Sequence, residues 1–269
     1  MRAGIALAAL LLAAAPAAGA ELRIFDTHIH YSVGDWSAYP PDAALKILDA
    51  AGVRRALVSS TPDDGTLRLY EKDPARVVPE LRPYRSRADM ASWFRDPAVL
   101  AYVEERLGRG VYKGLGEFHL RAEDARSGLM ARFVALAVRH GLVLHAHADA
   151  GAVEALFALD PRARVLWAHA GMWAGPAEVA PLLDRYPNLW VELALRTDVA
   201  PDGALDPEWR ALFLRYPDRF MVGTDTWVTS RWEELPRYLA GVRVWLAQLP
   251  RDVAERIAFG NAERLYGVK

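Results

Sequence analysis

The sequence predicts a (β/α)8 barrel, and three observations support that fold class. Short apolar runs alternate with longer helical patterns eight times along the chain. Several runs, such as Leu142-Val143-Leu144, are almost continuously apolar, which is expected of strands covered on both faces. Polar residues stand at the ends of several runs, where barrels build their active sites. The count of eight favours a closed barrel over the alternative, an open doubly wound sheet.

The predicted strands and helices follow from the apolar runs and from the residues that begin or end each helix. The predicted strands cover residues 22–26, 56–60, 76–83, 111–118, 142–146, 164–168, 189–193 and 220–224. The predicted helices cover residues 42–51, 65–71, 89–107, 127–140, 152–159, 177–186 and 207–216, with 233–249 and 253–259 after the last strand. Pro41 stands at a helix start, and Gly52 and Gly141 stand at helix ends, which is typical of these residues. No linker composition divides residues 21–269, so we expect a single domain.

The first twenty residues have the layout of a secretory signal peptide. Arg2 supplies a positive start, residues 5–15 are apolar, and Ala18-Gly19-Ala20 forms a small-residue cleavage site. The alternative is an uncleaved anchor, but this apolar run is short of the roughly 20 residues that a membrane span needs. We therefore expect a mature chain of residues 21–269 that is exported, either periplasmic or secreted, with no stable membrane association after cleavage.

Composition and charge narrow the class of partner. The 269 residues include 33 Lys and Arg against 34 Asp and Glu, and this balance argues against a nucleic acid as partner. The chain has no Cys, which excludes disulfides, thiolate zinc sites, iron–sulfur clusters and a Cys nucleophile. The hydrophobic content of 52% is too high for a disordered chain. We expect a small-molecule substrate, and the sequence leaves a homo-oligomer open.

Histidines and carboxylates mark a metal site. His28 and His30 follow the first predicted strand two residues apart, so in an extended chain both imidazoles can face one ion. The other candidates stand at the ends of the fourth, fifth, sixth and eighth predicted strands: Glu117, His145, His169 and Asp225. Because the carboxyl ends of barrel strands meet at one mouth, these nitrogen and oxygen donors predict a divalent metal site of one or two ions. Zn²⁺ is the default ion, with Mn²⁺, Fe²⁺, Co²⁺ or Ni²⁺ as alternatives.

A set of motifs occurs in a fixed order between residues 24 and 266. They are Asp-Thr-His-Ile-His at 26–30, Gly-Leu-Gly-Glu at 114–117, His145, Ala-His-Ala-Gly at 168–171, Gly-Thr-Asp at 223–225 and Gly-Asn-Ala-Glu-Arg-Leu at 260–265. In this order they resemble the amidohydrolase superfamily, especially its amidohydrolase-related branch, which includes the aminocarboxymuconate-semialdehyde decarboxylase-like enzymes.

That resemblance implies a role for each matching residue. The implied metal ligands are His28, His30, His145 and Asp225. His169 is either a ligand of a second ion or, as in one-metal members, the group that polarises the substrate. The family's fourth strand supplies a bridging Glu, a carboxylated Lys or nothing. We favour Glu117 over Lys113, which lies four residues earlier, and leave open whether Glu117 binds metal.

The ligand types predict hydrolysis by an activated water. A metal held by imidazoles and carboxylates lowers the pKa of its bound water toward about 7. Asp225 would orient that water, accept its proton and pass it to the leaving group, while His169 would help to stabilise charge on the attacked oxygen. We expect a small-molecule amide, ester, lactone or phosphoester as substrate. The alternatives are a metal-dependent decarboxylase on the same barrel and a non-catalytic exported binding protein.

Candidate substrate contacts lie in the loops that follow the predicted strands. These residues are Trp36, Trp173, Arg196 and Trp227, together with Tyr31 and Tyr39. Aromatic side chains suit an apolar or ring-bearing substrate, and Arg196 could meet an anionic group. His119 and His147 are candidates for the pocket lining. Asp26 is expected to support the histidine pair as a hydrogen-bond acceptor, and His140 to be structural.

Overall fold

A computed structural model describes residues 22–268 and contains eight parallel strands. The strands are β1 (Ile24–His30), β2 (Val53–Ser59), β3 (Val77–Leu81), β4 (Gly114–Leu120), β5 (Val143–Ala148), β6 (Arg164–Trp167), β7 (Leu189–Glu192) and β8 (Phe220–Met221). They are hydrogen-bonded in sequence order. The N–H of Thr27 donates to the Val222 carbonyl at 2.9 Å, which joins the first strand to the last. The predicted (β/α)8 barrel is confirmed, and the doubly wound sheet is excluded.

Helices connect the strands and cover the outside of the barrel. They are α1 (Pro41–Ala50), α2 (Asp64–Lys72), α3 (Pro97–Leu107), α4 (Gly128–His140), α5 (Ala150–Leu159), α6 (Pro176–Arg185), α7 (Pro207–Arg215), α8 (Ser230–Leu246), α9 (Arg251–Glu255) and α10 (Asn261–Tyr266). A π-helical turn, Arg256–Gly260, joins α9 to α10. Within residues 22–268 no helix is both long enough and apolar enough to cross a membrane. The predicted signal peptide lies outside the described residues.

The predicted helix over 89–107 begins later than expected. The structure has two 3₁₀ turns, Arg87–Ala91 and Trp93–Arg95, and the α-helix starts only at Pro97. Proline has no N–H and favours the first helical position, and the Asp96 side chain caps the helix by accepting from the Ala98 N–H at 2.8 Å. Capping chemistry therefore outweighs the apolar periodicity that extended the prediction toward residue 89.

The first and last strands also differ from their predicted bounds. β1 continues to His30, four residues beyond the predicted end, whereas β8 ends at Met221. Beyond β8 the Thr224 N–H and hydroxyl donate to the Asp26 carboxylate at 3.1 and 2.6 Å. These side-chain bonds add to two backbone bonds, from the Thr27 N–H to the Val222 carbonyl and from the Asp225 N–H to the His28 carbonyl at 2.7 Å. They hold the end of the β8 segment against β1, where the candidate ligands lie.

The barrel interior has an apolar layer at its amino end. This layer, the floor, consists of Phe25, Leu57, Val78, Val143, Leu166 and Met221, closed from below by Phe259, Leu265 and Tyr266. Side chains alternate along a strand, so the residue two positions after an inward-facing one points inward again. Val78 is followed in this way by Glu80, and Val143 by His145. A polar layer therefore lies directly above the floor.

Candidate metal centre

Four buried imidazoles meet at the carboxyl end of the barrel. His28 and His30 come from β1, His145 from β5, and His169 lies two residues after the end of β6. Each is at most 1% exposed. The His28 ring lies 4.9 Å from the His30 ring, 4.6 Å from the His145 ring and 5.0 Å from the His169 ring, centre to centre. Residues that are up to 141 positions apart in the sequence therefore form one cluster.

Two carboxylates complete the cluster. Glu117, in β4, places Oε2 3.2 Å from His30 Nε2 and 3.5 Å from His28 Nε2, while its Oε1 lies 3.5 Å from His169 Nε2. Asp225, after β8, places Oδ1 3.3 Å from His30 Nε2 and 3.6 Å from His28 Nε2. Glu117 therefore faces two groups of imidazoles, one through each carboxylate oxygen.

Hydrogen-bond partners set the tautomer of each imidazole. The Nδ1 atoms of His28, His30, His145 and His169 lie 3.0, 2.9, 3.0 and 3.1 Å from Glu192 Oε1, the Ser59 carbonyl, Glu80 Oε2 and the Ala194 carbonyl. Carbonyl and carboxylate oxygens accept hydrogen bonds, so each Nδ1 carries the proton in the neutral ring. Each Nε2 then presents a lone pair to the centre of the cluster.

This donor set fits a divalent cation. His28 Nε2 and His30 Nε2 are 3.2 Å apart, and both face the Glu117 and Asp225 carboxylates. Acceptors at this separation repel one another unless a cation lies between them. Four ligands at about 2.0–2.1 Å from a tetrahedral Zn²⁺ are about 3.3 Å apart. The separations of 3.2–3.6 Å in this group match that spacing.

Buried atoms without hydrogen bonds point to the same conclusion. Among residues 22–268, His145 Nε2, His169 Nε2 and Asp225 Oδ1 are buried and have no hydrogen-bond partner. A buried polar atom left in this state costs about 1–3 kcal/mol, whereas coordination to a cation satisfies it. Burial opposes a charge on His28, but the carboxylates of Asp225, Glu117 and Glu192 outweigh it and raise its pKa well above the usual value. The cluster therefore attracts positive charge.

Two buried glutamates that we did not predict orient the imidazoles. Glu80, in β3, bonds His145, and Glu192, in β7, bonds His28; both glutamates are at most 1% exposed. Burial opposes ionisation of Glu192, but the neighbouring His169 and His28 lower its pKa to about 2. A Cβ at Gly223 would collide with the Glu192 carboxylate, so glycine makes room for it. The sequence feature that could have indicated these two residues is a glutamate inside each of two otherwise apolar strands.

Two site residues adopt a left-handed backbone, and an arginine holds each of them. His169 and Asp225 both have φ of 56°, which is uncommon for residues other than glycine. Arg196 Nη1 donates to the His169 carbonyl at 3.1 Å. Arg231 Nε donates to the Asp225 carbonyl at 2.6 Å, and its Nη2 to the Thr224 carbonyl at 2.7 Å. These arginines thus fix the backbone that carries His169 and Asp225.

Comparison with known proteins identifies the family. The amidohydrolase family model matches residues 25–268. The chain belongs to the amidohydrolase family. This finding confirms the resemblance seen in the sequence motifs and makes the protein an enzyme of the amidohydrolase superfamily, whose members use divalent metals. The search of curated proteins finds no match.

Solved structures share the fold of this amidohydrolase. A protein from Pseudomonas putida assigned as a 2-pyrone-4,6-dicarboxylic acid hydrolase is 18% identical, with a TM-score of 0.66 over 92% of this chain and 98% of that chain. A TatD homologue from Escherichia coli is 17% identical, with a TM-score of 0.63 over 92% and 99%. A Burkholderia multivorans amidohydrolase with bound zinc is 18% identical, with a TM-score of 0.59 over 92% and 100%. At these identities the matches establish a common fold.

A cavity of about 680 Å³ opens above the cluster of the amidohydrolase. Glu117 and Asp225 lie in its wall, together with Trp227, whose side chain is 56% exposed. A neighbouring cavity of about 620 Å³ includes Trp173, which is 89% exposed. The two cavities share four lining residues, Met90, His119, His147 and Met172. Two of the predicted substrate contacts, Trp173 and Trp227, and both candidate lining histidines thus reach this cleft.

The other two predicted substrate contacts, Trp36 and Arg196, line neither of these cavities. Trp36 Nε1 donates to the Tyr31 carbonyl at 3.1 Å, and its ring stacks under Arg68. All three guanidinium nitrogens of Arg196 have partners: Nη1 bonds His169, while Nε bonds Asp198 at 2.8 Å and Nη2 bonds the Ala174 carbonyl at 2.8 Å. Arg196 thus has a role in the backbone around His169.

The remaining predicted residues have clear positions. Lys113 lies just before β4 and is exposed beside Tyr266, which closes the floor from below, at the opposite end of the barrel from Glu117. Asp26 accepts a hydrogen bond from the His28 N–H at 3.1 Å, as expected of a support for the histidine pair. His140 is exposed in the last turn of α4. Geometry therefore favours Glu117 over Lys113 as the contribution of the fourth strand.

Proposed function

We propose that this amidohydrolase is a two-metal hydrolase that acts on a small-molecule ester, lactone, amide or phosphoester. The observation that carries the proposal is the position of Glu117. One of its oxygens faces the Nε2 atoms of His28 and His30, and the other faces His169 Nε2. A carboxylate placed between two sets of imidazole lone pairs is suited to bridge two cations.

The proposed ligands divide into two groups. His28, His30 and Asp225 would hold one cation together with Glu117 Oε2. The Nε2 atoms of His145 and His169 are buried and have no hydrogen-bond partner within residues 22–268, and they would hold the second cation together with Glu117 Oε1. Zn²⁺ is our first choice, because imidazole and carboxylate ligands suit it and a Burkholderia multivorans structure of this fold contains zinc.

The bound cations would supply Lewis acidity and activate a water molecule at neutral pH. Asp225 borders the cavity, and its buried Oδ1 has no hydrogen-bond partner among the described residues. This oxygen is placed to orient the attacking water, accept its proton and return it to the leaving group. Met172 and Leu195 line the same cavity and would keep bulk water from the reacting bond.

Lactones and esters are the first substrates to test. Two proteins of the same fold, from Pseudomonas putida and Acinetobacter baumannii, are assigned as hydrolases of 2-pyrone-4,6-dicarboxylic acid, which is a cyclic ester. The exposed Trp227 and Trp173 at the two cavities suit a ring-bearing substrate. The first substrates to assay are therefore lactones and esters that carry a ring, together with acyclic esters for comparison.

The test is turnover by chelated and zinc-reconstituted protein in water enriched in ¹⁸O. Hydrolysis predicts that activity returns with zinc and that each turnover places one ¹⁸O atom in the acid product. Glu117→Gln should lose most of this activity, whereas Lys113→Gln, at the opposite end of the barrel, should retain it. Release of carbon dioxide without ¹⁸O incorporation would contradict hydrolysis and support the decarboxylase alternative.

We also propose that the enzyme is exported and that residues 1–20 are removed. The charged start, apolar run and small-residue cleavage site support this. Intact mass of the protein recovered from the exported fraction should correspond to a chain that begins at Glu21. Retention of Met1 in that protein would overturn the proposal.

A further inference from the structure

Two arginines, Arg82 and Arg85, lie in the loop after β3, and a third, Arg87, begins the first 3₁₀ turn. Carboxylates hold two of the three. Arg82 Nη2 bonds Glu117 Oε2 at 2.9 Å, and its Nε donates to the Glu117 carbonyl at 2.9 Å. Arg85 Nη2 bonds Asp89 at 2.7 Å and Asp96 at 2.8 Å. Both guanidinium groups therefore have structural partners.

The third arginine, Arg87, has no such partner in the part of the chain that the structure describes. Its side chain lines the cavity that also contains Glu117 and Asp225. The nearby Asp89 is engaged by Arg85 through both carboxylate oxygens. Within residues 22–268 no carboxylate lies within ion-pair distance of the Arg87 guanidinium. A cation is thus presented to the substrate cavity without a counter-charge from the described chain.

The other charged groups of this cavity are occupied. Asp35 accepts from the Thr229 hydroxyl at 2.7 Å and from the Ser32 N–H at 2.8 Å. Arg82 is paired with Glu117, and the remaining carboxylate of the wall belongs to the proposed metal centre. Among the described residues, Arg87 is the charged side chain of the wall that is free to bind a ligand.

We infer that the substrate carries a carboxylate, which Arg87 binds while the scissile bond lies at the metal centre. A guanidinium pairs with a carboxylate through two parallel hydrogen bonds, which fixes orientation as well as charge. The apolar body of the substrate would lie against Trp227 and Met172, in the wall of the same cavity. This inference rests on the proposed function and specifies its substrate class.

Two esters of equal shape test the inference. The zinc-loaded enzyme is assayed with 3-acetoxybenzoate and with 3-methylphenyl acetate, which differ by a carboxylate in place of a methyl group. We expect kcat/KM to be at least about tenfold higher for 3-acetoxybenzoate, mainly through KM. In Arg87→Gln this ratio should fall to about one. Arg54→Gln removes an exposed arginine at the amino end of β2 and should leave the ratio unchanged.

Two results would overturn the inference: equal kcat/KM for both esters in the wild type, or an unchanged ratio in Arg87→Gln. If the zinc-loaded enzyme hydrolyses neither ester, the proposed function has failed on esters, and binding decides the inference separately. Calorimetric titration with 3-hydroxybenzoate should then show at least about fivefold weaker binding to Arg87→Gln than to wild type or Arg54→Gln. Equal binding to all three proteins would contradict the inference.

Discussion

The two ends of the barrel interior differ sharply, although the same strands build both. At the amino end, Val78 and Val143 belong to an apolar floor. Two residues later along the same strands, Glu80 and His145 are joined by a buried hydrogen bond of 3.0 Å. Every second side chain of a strand faces the barrel interior. Successive inward-facing residues of the same strand thus contribute first to an apolar layer and then to the polar layer directly above it. The first layer stabilises the fold, and the second carries the chemistry.

The polar layer is stable because its charges are matched. A buried charge is costly unless it is paired and hydrogen-bonded. Glu192 accepts hydrogen bonds from His28, from the His169 N–H and from the Ala194 N–H. Asp26 shows the cost that remains, since burial raises its pKa to about 7 although Thr224 and His28 donate to it. We therefore expect substitutions in the floor to affect stability and substitutions above it to affect metal binding and activity.

The largest effect is expected from Asp225→Asn. The amide cannot accept the proton of the attacking water, so kcat should fall by about 10²–10⁴-fold. The floor is untouched, so the midpoint of thermal unfolding of the metal-free protein should stay the same or rise. Steady-state kinetics on the zinc-loaded protein measure the first effect, and calorimetry measures the second. Unchanged turnover would remove Asp225 from the mechanism.

Phe25→Ala tests the floor. Removing this fully buried ring should lower the free energy of unfolding by about 3–5 kcal/mol. At temperatures well below unfolding, the zinc content and kcat should change by less than about twofold, because the ligands lie in the layer above. Urea titration gives the stability. Val244→Ala, on the exposed face of α8, is the matched control and should change stability by less than about 0.5 kcal/mol.

Glu192→Gln tests the support of the imidazoles. The amide cannot accept from His28 and from two backbone N–H groups as the carboxylate does, so zinc affinity should weaken by about 10–100-fold. Competition with a chromogenic chelator measures this affinity. Glu154→Gln, which removes a surface partner of Arg185, should bind zinc like the wild type. Equal affinity of the two variants would show that Glu192 has no role in the metal centre.

Arg231→Met should have the smallest effect. Without its two hydrogen bonds to the Thr224 and Asp225 carbonyls, the left-handed Asp225 is less well positioned. We expect kcat to fall by about tenfold with little change in KM, and Arg231→Lys to recover part of the loss. Arg237→Met, on the exposed face of the same helix, should behave like the wild type. A change in KM alone would point to a different role.

Much of this architecture could be predicted from the sequence, because parallel strands place their carboxyl ends together. That rule alone brings His28, Glu117 and Asp225 to one mouth of the barrel. It cannot show which side chains are already occupied by partners within the chain. Arg196 was the expected anion contact, yet its nitrogens bond Asp198 and backbone carbonyls. Arg87, in contrast, lines the cavity with no carboxylate partner among the described residues.

The supporting roles of Glu80 and Glu192 could not be predicted from the sequence for a similar reason. A glutamate inside an apolar strand can be explained as an edge or loop residue until its partner is known. Glu80 and Glu192 become meaningful only once His145 and His28 lie 3.0 Å away, and those contacts join residues 65 and 164 positions apart. The late start of α3 was different, because Asp96-Pro97 is a visible capping signal that the apolar periodicity obscured.

The most direct test of the two-metal centre is the number of zinc ions per chain. Protein reconstituted with zinc and freed of excess metal is measured by elemental mass spectrometry, in the wild type and in Glu117→Gln. We expect about two ions per chain in the wild type and at most one in the variant, because Glu117 faces both groups of ligands. One ion in both proteins, or none in either, would contradict a two-metal centre.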